Sequence, residues 1–374
     1  MSDISTSVLK VNTAAYRHNI GVVRKHIGDD CGIIAVVKSD AYGLGMIPMA
    51  QRAISENVDM LAVATVAEGM ELREHYPDIP ILVMVQPSEE DIPAAVQGDL
   101  RITVSNYATA EQLGLQASKM KKIMAIHCEI DTGMGRQGFS LEEAPKSLLK
   151  ITRISNVDIE AIFTHFPSAD EPEDPYTANQ AKNFRTLQTQ LSKDGIPFEY
   201  CHASNSAGIM LQQNCSFDMV RPGIMTYGVW PNNKVPEDSP LLPVIQWESK
   251  LVLIKNLPGG VSVNYGRIYK TQKPIRTGVI PVGYADGYPY ALSNNADVLI
   301  RGTRCPVLGT VTMNQIVVDL SEVPEATVGD IAVLIGQDDE ERIQVEELAH
   351  RANTIGYEIL TGISARIPRV YLPA

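Results

Sequence analysis

No apolar run in this sequence approaches the roughly 18 residues that a membrane-spanning helix requires. The longest, 32–37 and 60–67, have the length of buried strands. A basic surplus is also missing. Lys+Arg 32 against Asp+Glu 44 leaves a formal net charge of −12, which argues against a general nucleic-acid binder. Cysteine is scarce: Cys31, Cys128, Cys201, Cys215 and Cys305 are scattered, odd in number and without a C-x-x-C. That pattern excludes a disulfide framework and a zinc site, so no metal is expected. The first residues carry no basic stretch followed by an apolar one, the mark of a secretory signal. A cytoplasmic protein with free thiols is the expectation.

What is present is an ordinary folding mixture, 44% hydrophobic and 20% charged over 374 residues, enough for two or three domains. Eight strand-like runs occupy 33–38, 59–64, 81–85, 101–105, 123–130, 159–165, 199–202 and 219–227. Several are continuous in Val and Ile, as strands buried on both faces should be. Helical stretches at 66–75, 89–97, 107–118 and 176–192 separate them. Eight such units predict a (β/α)8 TIM barrel, with a doubly wound sheet as the alternative because spacing does not give strand order. After the Pro- and Asn-rich stretch 231–240 come closely spaced strand-like runs at 245–256, 277–283, 298–300, 305–312, 315–320 and 331–335. A helix at 345–353 and a last strand at 364–372 follow. The fold class is therefore α/β, a barrel over 1–237 and a mostly β domain over 238–374, with the first few residues left to pair with the second domain.

In a TIM barrel the reactive groups come from the C-terminal ends of the strands. Those ends supply Lys38, the stretch 129–136, His165, Asn205 with Ser206, and Arg221 with Gly223. A lysine at the rim of an apolar barrel is desolvated, which lowers its pKa and suits it to Schiff-base chemistry. Position alone equally allows a lysine that reaches out to solvent.

The run Ala35-Val-Val-Lys-Ser-Asp-Ala-Tyr-Gly-Leu-Gly45 resembles the pyridoxal-phosphate lysine motif of alanine racemases. Further matches follow in family order: Asp131-Thr-Gly-Met-Gly-Arg136, Thr164-His-Phe166, Asn205-Ser-Ala207, Arg221-Pro-Gly223, Tyr265-Gly266, Gly283-Tyr-Ala-Asp-Gly-Tyr288 and 357–369. The resemblance implies pyridoxal 5'-phosphate on Lys38. It implies a phosphate cup of Tyr42, Ser206, Gly223, Ile224 and Tyr357, in which Ser206 opens a short helical run at 207–212, with Asn205 also among the cofactor-binding residues. It places Arg221 at the ring nitrogen, with His165 either stacked near the ring or linking Arg221 to the catalytic tyrosine. A second base, Tyr265, is implied to come from the partner subunit of a homodimer, with Tyr284 in support. Arg136 becomes the clamp on the substrate carboxylate, and Met313 with Tyr357 limits the pocket beyond a methyl group.

Where relatives often carry a carbamylated lysine, this chain has Glu129, which resembles a built-in negative partner for Arg136; an outward-facing strand residue is the other reading. Asn314, Thr310 and Tyr290 replace a carboxylate and two arginines common in the family's substrate corridor. The function implied is alanine racemisation for peptidoglycan, on a small amino-acid substrate, with no nucleic acid or membrane as partner. The rivals are a broad-specificity racemase (serine, lysine or arginine), a decarboxylase of the same architecture and a non-catalytic PLP-binding barrel. The decarboxylase would use a Cys-Asp pair that is not seen in the second domain, and the single-barrel proteins lack such a domain.

Overall fold

The structure, a computed structural model, describes residues 6–212 and 215–373. It separates into two compact units. One comprises Ile20–Ala41 and Met46–Gly223; the other takes in the chain up to Asn19, Tyr42–Gly45 and everything from Ile224 onward.

The first unit is a closed parallel barrel. Its strands are Gly32–Val36, Met60–Val63, Ile81–Val83, Arg101–Val104, Met124–Asp131, Val157–Phe163, Tyr200–His202 and Met219–Val220. Each pairs with the next in sequence order, and the eighth pairs back onto the first. This is the (β/α)8 topology, and the doubly wound alternative falls. Ile33, Ile34, Leu61, Ala62, Val63, Ile81, Leu82 and Val83 are fully buried, as expected of strands covered on both faces. The helix Val66–His75 starts at a capping box in which Thr65 and Glu68 satisfy each other's backbone N–H groups.

The predicted runs 33–38, 81–85 and 159–165 end as strands two residues early, at Val36, Val83 and Phe163, and one further run differs more. The apolar run 219–227 forms a strand only at Met219–Val220, and Ile224–Tyr227 is a 3-10 turn. Pro222 supplies no N–H to continue a ladder. Its carbonyl still accepts Val36 N–H at 3.0 Å, so the chain makes one more bond to the first strand before it bends away.

The second unit is mostly β. Its main sheet runs in the order Thr303–Pro306, Asp297–Ile300, Ile331–Asp338, Ile245–Lys250, Val8–Asn12, Arg369–Leu372. The N-terminal strand lies antiparallel to Ile245–Lys250 and parallel to Arg369–Leu372. Residues 1–5, on which part of the pairing expectation falls, lie outside the described residues. A smaller sheet joins Leu253–Leu257, Ile275–Ile280 and Ile316–Asp319. Three expectations are corrected here. The run 245–256 breaks into two strands around Leu251, the run 305–312 stops as a strand at Pro306, and 364–372 becomes extended only at Arg369. The helix Gly356–Gly362 was not foreseen. Among the described residues no helix is long and apolar enough to cross a membrane.

Candidate active site

In the barrel unit, Lys38 stands two residues beyond the strand Gly32–Val36 and opens the helical turn Lys38–Gly43. The turn is left-handed: Ser39, Asp40, Ala41 and Tyr42 have φ of 55°, 54°, 52° and 58°. For L-residues this conformation costs roughly 1–2 kcal/mol each, and strain of this kind collects at functional sites. Three bonds hold its start. Ala41 N–H donates to Val37 O at 2.8 Å, Ser39 N–H to Glu68 at 2.6 Å, and Asp40 accepts Met46 N–H at 2.7 Å. Burial, then the nearby Arg136 charge, holds the Lys38 ammonium below its ordinary range, with Glu68 opposing. A larger share of free amine, and so a better nucleophile and base, is the result.

Arg221 is almost fully buried in the same unit. Its Nη2 donates to the carbonyls of Thr164 and Ala203, both at 2.8 Å, and to His165 Nδ1 at 3.0 Å. Its Nη1 lies 2.7 Å from His202 Nδ1. Its Nε has no partner among the described residues. Burial pulls the guanidinium down to about 10, which leaves it a cation at neutral pH. Burial, with Arg221 the nearest charge acting in the same direction, holds His165 well below the ordinary histidine value. A neutral His165 can accept from Arg221 at Nδ1, as the geometry shows.

The carboxylate Glu129 sits on the strand Met124–Asp131 and is buried. Gln137 Nε2 donates to it. Burial pushes its carboxyl up to about 7, opposed by Gln137 and by the charges of Arg221 and Arg136. Arg136 itself is exposed, with no hydrogen bond or ion pair among the described residues. Ser206 is buried and its Oγ accepts Gly223 N–H at 2.9 Å. Asn205 caps the turn Ser206–Leu211 through Gly208 N–H at 3.0 Å, and its Nδ2 donates to Phe166 O at 3.1 Å.

In the second unit, the buried Tyr42 ring lies 4.7 Å from Tyr227 and 6.2 Å from Tyr357 between centroids. Ile224 is fully buried. Arg369 donates to Gly43 O at 2.9 Å and to three carbonyls of its own segment, those of Ile363, Ser364 and Ile367, which explains why the motif 357–369 ends on an arginine. Tyr265 is 78% exposed, and Tyr284, Tyr290 and Met313 are exposed around the same depression. Two bonds fix the Tyr265 backbone. Thr310 Oγ1 donates to Tyr265 O at 2.7 Å, and Asn264 Nδ2 to Thr310 O at 3.0 Å. Gly283 has no room for a side chain, since a Cβ there would lie 2.1 Å from Thr312 O. Its neighbours Tyr284 and Ala285 donate to Thr312 O and Met313 O at 3.0 and 2.9 Å, which ties the Gly-Tyr motif to Met313.

Sequence reading missed Gln137, and with it three residues of the barrel interior: His127, His202 and Glu160. The histidines are fully buried and within hydrogen-bond reach of one another. No local motif marks them.

The chain matches the model of the alanine racemase N-terminal domain over residues 11–231 and that of the C-terminal domain over 244–371. It is 40% identical to an alanine racemase of Halothermothrix orenii over 364 residues, 97% of this chain and 96% of that one. It is also 40% identical to an alanine racemase of Symbiobacterium thermophilum, over 97% and 96% of the two chains. Among solved structures it is similar to the alanine racemase of Clostridium difficile 630, with TM-score 0.94 and 34% identity over 99% and 97% of the chains. It is similar, too, to an alanine racemase from Bartonella henselae with covalently bound pyridoxal phosphate, with TM-score 0.89 and 27% identity over 98% and 100%. Two domain models in order and relatives matched over nearly their whole length place one conclusion beyond the motifs: the chain belongs to the alanine racemase family.

Proposed function

We propose that this protein interconverts L- and D-alanine with pyridoxal 5'-phosphate, using Lys38 and the Tyr265 of a second copy as its two bases. The observation that carries the reading is the orphaned, buried Nε of Arg221. A buried N–H without a partner costs free energy unless a ligand accepts from it. The unprotonated nitrogen of a pyridine ring is such an acceptor, so the residues fit the cofactor. When bound, the cofactor supplies an electron-withdrawing ring that acidifies the proton on the substrate Cα.

Arg221 donates and never accepts, so it holds the ring nitrogen without a proton. That restrains the ring's pull on electrons and favours prompt return of the proton to Cα. Lys38 Nζ, with its lowered pKa, exchanges the proton on one face of Cα. Tyr265 Oη serves the opposite face. Arg136, exposed and without an ion-pair partner among the described residues, takes the substrate carboxylate through its two parallel donors. Glu129 orients Arg136 by charge. Ser206, Asn205, Gly223, Ile224, Tyr42 and Tyr357 are assigned the phosphate, and Met313 with Tyr357 the size limit. Five free, buried thiols support a reducing, cytoplasmic setting, where D-alanine would feed peptidoglycan precursors.

Chiral chromatography of alanine after incubation with the PLP-loaded protein tests this. Either enantiomer should yield the mixture, and Lys38→Ala should yield none. Borohydride should fix the cofactor to Lys38, and a peptide map that puts it on another lysine rejects the assignment.

A further inference from the structure

Four side chains, three on barrel strands and Arg221 just past a fourth, form one hydrogen-bonded line in the barrel unit. Arg221 Nη1 meets His202 Nδ1 at 2.7 Å, His202 Nε2 meets His127 Nδ1 at 3.0 Å, and His127 Nε2 meets Glu160 at 2.9 Å. Arginine has donors only, and an ionised carboxylate has acceptors only. A neutral imidazole has one of each. The two ends therefore dictate the whole line. Arg221 donates to a bare His202 Nδ1, His202 Nε2–H donates to a bare His127 Nδ1, and His127 Nε2–H donates to Glu160. The reverse order would require Arg221 to accept.

We propose that Glu160 is a positioning residue for Arg221, acting through His127 and His202, whose Arg221-directed tautomers leave an N–H for its carboxylate to accept at the far end of the line. This deepens the reading above, on which Arg221 serves the cofactor ring. The setting of Glu160 supports it. His127 and Arg101 Nη2, the latter at 3.4 Å, hold its carboxyl at about 2 despite partial burial, so it is ionised at neutral pH. Burial holds both imidazoles below their ordinary value, so each is neutral and has a single tautomer to choose. Phe163 confines the line from the side. It stacks on His202 at 4.7 Å with 9° between planes, and the Arg221 guanidinium lies over its ring at 5.2 Å. Among the described residues Arg221 has no carboxylate in direct contact, so Glu160 is the ionised acid to which its charge is connected by hydrogen bonds. Such lines polarise cooperatively, and a group beyond the first contact can move a site's activity by roughly 10–100-fold.

Neutron diffraction from deuterated crystals of the PLP-loaded protein reads the tautomers directly. Deuterium on Nε2 and none on Nδ1, at both His127 and His202, is the expected result. Deuterium on Nδ1 of either ring overturns the proposal. In solution, Glu160→Gln keeps the shape but loses the obligatory acceptor. It should shift the visible absorption of the bound cofactor and lower kcat roughly tenfold while KM stays within about twofold. A variant with unchanged spectrum and unchanged kcat overturns the link to Arg221. Should that variant fail to fold, Glu160→Asp, which keeps the charge but shortens its reach to His127, carries the same two readouts, and an unchanged spectrum and kcat there overturns the link. Absence of alanine racemisation in the wild type would reject the proposed function and leave the tautomer result standing.

Discussion

Glu68 Oε1 accepts the backbone N–H of Ser39 at 2.6 Å, while its Oε2 accepts those of Ala64 and Thr65 at 2.8 and 3.2 Å. One carboxylate thus closes a helix cap and anchors the first residue after Lys38. Glu68→Ala leaves three N–H groups without that partner and should cost about 2–3 kcal/mol in denaturant unfolding. Glu68 is also the charge that raises the Lys38 pKa. Without it, amine-selective labelling of Lys38 should set in at lower pH than in the wild type. Unaltered melting together with unaltered labelling would show that the contact contributes nothing.

Glu129 gives a pH signature of its own. Its carboxyl is raised from 4.5 to about 7, chiefly by burial. A raised folded-state pKa favours the protonated form on folding, so its stability contribution is full below pH 4.5 and is lost as pH climbs toward 7. Glu129→Gln should abolish that loss, about 3 kcal/mol at most, and flatten the stability profile across this window. Removing carbon dioxide should leave wild-type activity untouched, because no carbamyl group is needed for the charge. A carbon dioxide requirement would reject Glu129 as the substitute.

The exposed Tyr265 calls for a mixing experiment. Lys38→Ala and Tyr265→Phe, each inactive alone, are unfolded and refolded together beside refolded wild type. Random pairing makes about half the dimers mixed, and one of the two sites in each is intact, so about a quarter of all sites should recover. A tyrosine acting within its own chain gives no recovery.

The depression around Met313 is lined by uncharged side chains, Tyr284, Tyr290, Thr310 and Asn314 among them. A substrate panel then separates a strict from a broad racemase. Alanine should be preferred over serine by only about 100-fold, because an apolar pocket rejects an added hydroxyl weakly. Lysine or arginine turned over as fast as alanine would assign the protein to the broad class.

The barrel was legible because its strands are continuous in Val and Ile and fall at βα spacing. It misled at strand ends, most of all where Pro222 ended an apolar run as a strand without ending its burial, and at Lys38, which opens a helical turn instead of closing a strand. The interior line was not legible. His127, Glu160 and His202 are 33 to 75 positions apart, and only the barrel's register turns them toward one another. The left-handed turn was hidden for another reason. Ser39-Asp-Ala-Tyr42 contains no glycine, and the glycines that announce positive φ, Gly43 and Gly45, come after it. Tyr265 was legible only by family likeness, since nothing in Asn264-Tyr-Gly-Arg267 distinguishes it from a surface turn.

That turn has a stereochemical consequence. A left-handed helical turn is the conformation that residues of the opposite configuration adopt without steric conflict. At Ser39, exposed and engaged here through its backbone N–H, the mirror-image residue introduced by chemical ligation would fit the observed φ of 55° more readily than the native one. The chain thus follows Lys38 with a segment whose backbone favours the other hand.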